Sequence, residues 1–364
     1  MLDLTQYYPC QIKDKDSGWT YLNQLCSNGQ NLLFITTKGF LKRGILEKLQ
    51  SVLGTTTITV ETIDSNPELQ TIHEIHQKYE DEKFDIILGL GGGSVLDSAK
   101  VLSVLLKQTN NIVFLADILR DNKTFEEKRL PLILIPTTAG TGAEVTPFAT
   151  IWDRPFNKKR SFSSQMIVPD CVVLDPSLTL SAPIDITIDC ALDTCSHAME
   201  TLWNRNATDS SVILANEALR LFATSLPEIL KNPSNLTART IMQKASLAAG
   251  LAIAISRTAI AHSISYPLTL HYGVPHGLAC SFTLPRIARL ITKTNSWAKG
   301  SDQNAINSAL SVMELVNAQG RIKNYCSFEQ IISVCKEMTT KGRAENFVLD
   351  NFNPKQIFLT NSIE

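Results

Sequence analysis

Short aliphatic runs separated by stretches of helical periodicity fill the first half of the chain. Positions 31–37, 56–63, 85–90, 131–136 and 171–175 are strand-length, rich in Leu, Ile and Val, and bounded by polar, Gly or Pro residues. Helical patterns lie between several of them, and alternation of that kind predicts a mostly parallel sheet covered by helices. After Asp175-Pro176 the period changes. Segments 185–203, 209–231, 237–255, 277–291, 301–318 and 327–338 read as helices, with Pro or Gly between them and no strand pattern. The expected fold is an α/β domain over 1–178 followed by an all-α domain over 179–364. No internal repeat, low-complexity tract or long linker interrupts either half.

Two strand ends in the first half lead into polar loops. The run 84–90 enters Gly91, Gly92, Gly93 and Ser94 and then an apolar helix, an order that offers free backbone N–H groups and a positive helix end to a phosphate. The bland alternative is a capping box of Ser94 with Asp97. The second run, 130–136, enters Thr-Thr-Ala-Gly-Thr-Gly-Ala-Glu at 137–144. Two such junctions at carboxyl ends of strands are where open α/β sheets bind nucleotides.

The second half carries a different chemistry. Asp193 and His197 are four apart within a helical segment, so they share one face and can grip a single ion. His262 and His276 follow, flanking a stretch that must leave one helix and return, and Gly-Val-Pro-His-Gly around His276 lets backbone pass close to an ion or ligand. Three imidazoles and one carboxylate suit Fe(II) or Zn(II) and suit Mg or Ca poorly. His73 and His76 read as a solvated helix face, and His271 has no evident partner.

Composition narrows the class without setting it. The chain has 364 residues, 44% hydrophobic and 19% charged, as for a two-domain globular enzyme, and a net charge of −1 points to neither nucleic acid nor an anionic membrane. The first residues lack the basic and apolar regions of a signal peptide, and the most apolar stretch, 245–255, is too short to span a bilayer. Eight cysteines without a Cys-x-x-Cys pair argue for reduced thiols in a cytoplasm. Cys190 and Cys195 flank Asp193 but point elsewhere on a helix.

Gly-Gly-Gly-Ser-Val-Leu-Asp-Ser-Ala-Lys (91–100), Pro-Thr-Thr-Ala-Gly-Thr-Gly-Ala-Glu-Val-Thr (136–146) and Asp-Thr-Cys-Ser-His-Ala-Met-Glu (193–200) occur in that order, and Pro-His-Gly and Asn353-Pro354-Lys355 follow. In these motifs the chain resembles the iron-containing (group III) alcohol dehydrogenase family over nearly its whole length. The resemblance implies an N-terminal nucleotide-binding domain, a helical metal-binding domain, and NAD(H) or NADP(H) as cofactor. It places Gly91, Gly92, Gly93 and Ser94 at the pyrophosphate, with Asp97 and Lys100 in the following turns, and Asn66 near the ribose. Thr137, Thr138 and Thr141 take the adenine and phosphate side, with Thr146 close behind. A cation near the nicotinamide ribose falls on Lys158 or Lys159, and Leu178 packs on the cofactor.

Two positions depart from the family pattern. Thr37 stands where many relatives carry an acidic residue at the ribose; without that charge, and with Lys38 and Lys42 nearby, NADP(H) becomes tolerable. Tyr266 stands four residues after His262, where many relatives have a second His. The run 257–269 resembles the version in phosphonoacetaldehyde reductase-like members, which implies a site for an anionic head group, with Tyr266 and Arg257 as candidate substrate residues.

The reaction expected is reversible hydride transfer between NAD(P)H and a small aldehyde or alcohol, with the metal as Lewis acid and Glu200 as a candidate for orienting an imidazole. The alternatives are a dehydroquinate synthase-like lyase using metal and NAD without net redox change, and a metal-dependent hydrolase without nucleotide. A homodimer or larger assembly is expected by analogy.

Overall fold

A computed structural model of the protein describes residues 4, 10–26, 29–108, 128–156, 158–339 and 342–359. Apart from Leu4, the N-terminal segment read above for a signal sequence lies outside them. The chain divides into two compact units, one built on 8–138 and 143–179, the other on 139–142 and the chain after Thr179.

The first unit is a six-stranded sheet among the described residues, with strands β1 (Gln11–Asp14), β2 (Asn31–Thr36), β3 (Thr57–Thr62), β4 (Ile86–Gly91), β5 (Leu132–Pro136) and β8 (Cys171–Leu174) in the order β1-β8-β5-β4-β2-β3. Every pairing in it is parallel, with Phe34 opposite Leu88 and Leu88 opposite Ile133 in its centre. Parallel strands are buried on both faces, and Leu33, Ile87 and Leu134 face one apolar cluster while Phe34, Leu88 and Ile133 face the other. Helices α1 (Lys15–Cys26), α2 (Lys38–Lys42), α3 (Ile45–Leu53), α4 (Leu69–Lys78) and α5 (Gly93–Leu105) cover it. β2 leads outward to β3 whereas β4 leads the other way to β5, so the strand order reverses between the ends of β2 and β4. The Thr36 hydroxyl ties those ends, donating to the Leu90 carbonyl at 2.8 Å. Such a reversal is where open parallel sheets bind ligands.

Three strands escaped the pattern: β1, at the sheet edge, and β6 (Phe148–Asp153) with β7 (Lys158–Ser163), which pair antiparallel as a separate hairpin. Five of the six residues of β7 are Lys, Arg or Ser, so its composition does not read as a strand.

The second unit is helical. It contains α6 (Ile184–Leu202), α7 (Asp209–Lys231), α8 (Leu236–Ser256), α9 (Ile260–Tyr272) and α10 (His276–Ser281), followed by shorter helices. Side-chain caps set the starts of α7, with a Thr208/Ser211 capping box, and of α8, where Asn235 accepts from the Ala238 N–H. The segment between His262 and His276, expected to leave one helix and return, is instead α9 itself, with Pro267 inside it. α9 stops at Gly273, whose φ of 65° is the left-handed conformation that glycine adopts without a Cβ penalty. The expected helix 277–291 is two, α10 and Leu284–Lys293, broken at Phe282 and Thr283. Segments 301–318 and 327–338 also contract, to Gln303–Leu315 and Phe328–Ser333 with short turns after each. No single helix among the described residues is long and apolar enough to cross a membrane.

Candidate functional site

Four residues from three helices meet in the helical unit. α6 carries Asp193 and His197 on its buried face, α9 carries His262 in its first turn, and α10 opens on His276. The Nε2 atoms of His262, His197 and His276 lie 3.5, 3.6 and 3.9 Å from Asp193 Oδ1. Among the described residues Asp193 Oδ1 and His262 Nε2 are buried with no hydrogen-bond partner. A buried polar atom left unpaired costs about 1–3 kcal/mol, and more when charged, so the fold carries these atoms at a loss unless a cation sits between them. Two donors about 2.1 Å from one ion at a tetrahedral angle stand about 3.4 Å apart, close to the observed separations. The residues fit a divalent metal. Three of the four side chains are at most 5% exposed, whereas His276 is 32% exposed, so the centre opens to solvent on its side.

Local sequence explains why the helices converge. A Cβ on Gly277 would lie 1.8 Å from the Asp189 carbonyl oxygen, so only glycine lets α10 rest on the backbone of α6 and bring His276 beside Asp193. The glycine after His276 therefore serves helix packing, not close approach to an ion. Gly140 and Gly142 behave alike: an added Cβ would meet Cys190 at 2.7 Å and Gly250 at 2.5 Å. These two glycines of the 137–144 loop seat it on α6 and α8, and that packing accounts for them without a phosphate.

Glu200, fully buried on α6, does two jobs at the start of α9. Its Oε1 accepts from the backbone N–H groups of Ala261 (2.5 Å) and His262 (3.1 Å), satisfying first-turn donors that α9 cannot satisfy itself. Its Oε2 lies 2.6 Å from His262 Nδ1, which fixes the proton there and turns the Nε2 lone pair toward Asp193. The field in the cluster favours a cation. Burial works against charge on Asp193, yet His197, His276 and His262 outweigh it and hold the carboxyl well below the usual carboxylate range. Burial likewise opposes charge on His262, but Cys280, Glu200 and Asp193 hold its pKa well above 6.5; at His197 burial wins and the pKa falls.

Cys280 was not singled out in the sequence. Its sulfur is 3.7 Å from His276 Nε2, and the ligand atoms of Asp193, His262, His276 and Cys280 all lie within 4.8 Å of one another. The signal was available: Cys280 follows His276 by four, the spacing that links His197 to Asp193. Cys190 packs on Gly140, and Cys195 contacts Met313 at 3.8 Å.

The substrate candidates separate. Arg257 does not open a helix; it ends α8 with a left-handed φ of 65° and an exposed side chain, while its carbonyl accepts from Asn204 Nδ2. Tyr266 lies one turn after His262 on α9, and the guanidinium standing over its ring at 4.6 Å is that of Arg343. Burial raises the Tyr266 hydroxyl pKa against the nearby charges of Arg343 and His262. His271 has a partner after all, Glu337 at 2.8 Å, a pairing 66 residues away in sequence.

In the sheet unit, the Gly91–Ser94 junction lies at the end of β4. Gly92 caps α5 without any side-chain bond, so the Ser94/Asp97 capping box does not form. Ser94 Oγ instead accepts from the Asn66 N–H at 3.1 Å, with Asn66 left-handed at φ 59°. Thr137 donates its N–H to the Gly91 carbonyl, and the Thr138 side chain faces Gly92. Asp97 accepts from the Thr150 N–H at 2.9 Å, and buried Lys100 donates to the carbonyls of Thr146 and Phe148 at 2.8 Å each. Lys100 and Thr146 thus tie α5 to β6. Thr37 caps α2 through its hydroxyl, Thr141 lies in the segment that joins the helical unit, and Leu178 packs on the sheet's apolar cluster. Lys158 is exposed, whereas Lys159 lies over the Trp152 ring at 5.4 Å and is felt by Asp97.

A glycine junction at the reversal of a parallel sheet, in one chain with a helical His/Asp centre, is the arrangement of a metal- and nucleotide-dependent enzyme. The sequence comparisons give the family. Residues 14–176 match the iron-containing alcohol dehydrogenase family and residues 187–345 match the Fe-containing alcohol dehydrogenase family, C-terminal. The chain belongs to the iron-containing alcohol dehydrogenase family. It is 32% identical to long-chain-alcohol dehydrogenase 1 of Geobacillus thermodenitrificans over 84% of this chain and 78% of that one. It is 31% identical to phosphonoacetaldehyde reductase of Streptomyces viridochromogenes (69% and 64%) and 31% to sulfoacetaldehyde reductase of Bilophila wadsworthia (71% and 66%). The chain matches about a third of the length of the aldehyde-alcohol dehydrogenases it resembles. Among solved structures, sulfoacetaldehyde reductase from Bifidobacterium kashiwanohense in complex with NAD+ superposes with a TM-score of 0.84 at 26% identity, covering 96% of each chain.

Proposed function

We propose that this chain is an NAD(P)H-linked aldehyde reductase, reversible as an alcohol dehydrogenase, acting on short aldehydes with an anionic head group. The observation that carries it is the convergence of three imidazole Nε2 atoms on Asp193 Oδ1 in a member of this family. Asp193, His197, His262 and His276 would hold the ion, Fe(II) or Zn(II), which when bound polarises a carbonyl oxygen as a Lewis acid. The nicotinamide, when bound, supplies or accepts the hydride. The chain's own part is preparation: Glu200 keeps the proton on His262 Nδ1 and the Nε2 lone pair aimed inward.

On the nucleotide side, this reading gives the pyrophosphate to the backbone N–H groups of Gly91, Gly92, Gly93 and Ser94, with Asn66 and Thr138 flanking. Lys159 is the better candidate than Lys158 for the nicotinamide side, because it lies against Trp152 and within electrostatic reach of Asp97. Thr37 leaves the cofactor without a carboxylate that would repel a 2′-phosphate.

The finer substrate reading has two supports. Two relatives are named for phosphonoacetaldehyde and sulfoacetaldehyde, and here a guanidinium stands over Tyr266, one turn from His262. Arg343 replaces Arg257 as the residue expected to meet the anion. The enzyme is also read as a cytoplasmic homo-oligomer, which sedimentation of the purified protein checks for assembly. The test is an anaerobic, metal-supplemented screen with NADH and NADPH in parallel. Stoichiometric oxidation of reduced nicotinamide, with a higher kcat/KM for phosphonoacetaldehyde than for propanal, supports the proposal. Turnover without net NAD(P)H consumption would favour the lyase, and no nicotinamide binding would favour the hydrolase.

A further inference from the structure

The metal centre contains one more donor than the four it needs. Cys280 lies on α10 one turn after His276, so its side chain returns to the same face. Its sulfur stands 3.6 Å from His276 Nδ1 and 3.7 Å from His276 Nε2. A nitrogen about 2.1 Å and a sulfur about 2.3 Å from one ion at a tetrahedral angle are about 3.6 Å apart, so the sulfur sits where a second donor to the same ion belongs. The ligand atoms of Asp193, His262, His276 and Cys280 all lie within 4.8 Å of one another, and His197 Nε2 lies 3.6 Å from Asp193 Oδ1. Two buried atoms of this set, Asp193 Oδ1 and His262 Nε2, lack partners among the described residues, so the sulfur shares a centre with atoms that point at nothing else.

We infer that Cys280 is a metal ligand of this chain, its thiolate joining Asp193, His262 and His276, with His197 completing the shell. Binding replaces the S–H bond by a sulfur–metal bond and releases one proton to solvent; no electrons move. A thiolate changes the preference of the site. Soft sulfur favours Zn(II) over Fe(II) relative to an all-imidazole and carboxylate set, and a second negative ligand beside Asp193 lowers the net positive charge of the ion. The centre is thereby biased toward zinc in a family described by its iron.

The inference rests on the metal centre, not on the substrate reading, and its readout does not involve turnover. The full-length protein is stripped of metal, loaded with one equivalent of Co(II) under argon, and its near-ultraviolet spectrum recorded for wild type and Cys280→Ala. A sulfur-to-cobalt charge-transfer band in wild type, absent from the variant with cobalt still bound, is the expected result. Absence of the band in cobalt-loaded wild type, or its persistence in Cys280→Ala, overturns the inference. X-ray absorption of zinc-loaded wild type decides the matter if the variant fails to fold or to bind: one sulfur at about 2.3 Å is required, and a shell of nitrogen and oxygen alone contradicts it. On dialysis against equal Fe(II) and Zn(II), wild type should retain a several-fold higher zinc-to-iron ratio than Cys280→Ala. Failure of the aldehyde screen would leave each of these results readable.

Discussion

Glu200 Oε2 stands 2.6 Å from His262 Nδ1, while the same carboxylate accepts two backbone N–H groups at the start of α9. One buried side chain thus sets both the position of a helix and the tautomer of the imidazole that helix presents. Glu200→Gln keeps the shape but replaces a charged acceptor with an amide whose oxygen and NH₂ cannot serve all three donors. Metal affinity should fall about 10–100-fold, as for other groups that orient metal-bound histidines. Competition against a fluorescent chelator reads this directly; an unchanged affinity would remove Glu200 from the account.

Gly91 and Gly92 should respond differently to the same substitution. A Cβ at Gly91 would lie 2.6 Å from Val95, so Gly91→Ala strains the fold itself. At Gly92 the added methyl meets only the Thr138 side chain, at 3.4 and 3.5 Å, and the backbone φ of −79° is ordinary. Gly92→Ala should therefore leave melting temperature and metal content near wild type while weakening nicotinamide binding at least tenfold. Equal nucleotide affinity in a titration of NADH fluorescence would move the pyrophosphate elsewhere.

Thr37→Asp tests the choice of cofactor with little structural cost, because Asp caps a helix start as well as Thr does. Like-charge repulsion should lower kcat/KM for NADPH more than for NADH. A ratio that does not move places the ribose away from the end of β2.

The sheet unit should show a pH signature. Burial raises Glu144 from its ordinary 4.5 to about 7, with Lys100 offsetting part of the effect. Between those values the folded chain holds a proton that the unfolded chain has lost. The stability associated with that proton is present below pH 4.5 and is lost as pH rises through 7, by at most about 3 kcal/mol. Glu144→Gln cannot titrate, so the wild-type minus variant stability difference should fall between pH 4.5 and 7. A flat difference in urea melts across that range would contradict it.

Much of this architecture was legible because it rests on local periodicity. The strands β2, β4, β5 and β8 are short aliphatic runs, and Asp193 with His197 needs only the helical repeat. What the sequence hid depends on contacts between distant segments. His271 meets Glu337 and Tyr266 meets Arg343 across more than 60 residues, so neither partner is visible from neighbours. Arg257, read as a substrate residue, instead makes the left-handed turn that ends α8, a place where the sequence shows no glycine. Gly140, Gly142 and Gly277 read as ligand glycines, yet each answers to a helix backbone packed against it. Cys280 was overlooked although it obeys the rule that found His197.

The central claim is that the His/Asp cluster is the centre at which an aldehyde is reduced. The most direct test is anaerobic NADH oxidation by a short aldehyde in metal-loaded wild type and in His276→Ala, with metal content measured on the same samples. His276 is the most exposed of the four, so its loss disturbs packing least. The account predicts stoichiometric NADH consumption in wild type and a loss of several powers of ten in kcat in the variant, together with reduced metal content and unchanged NADH binding. Full metal content and a normal kcat in His276→Ala would contradict it.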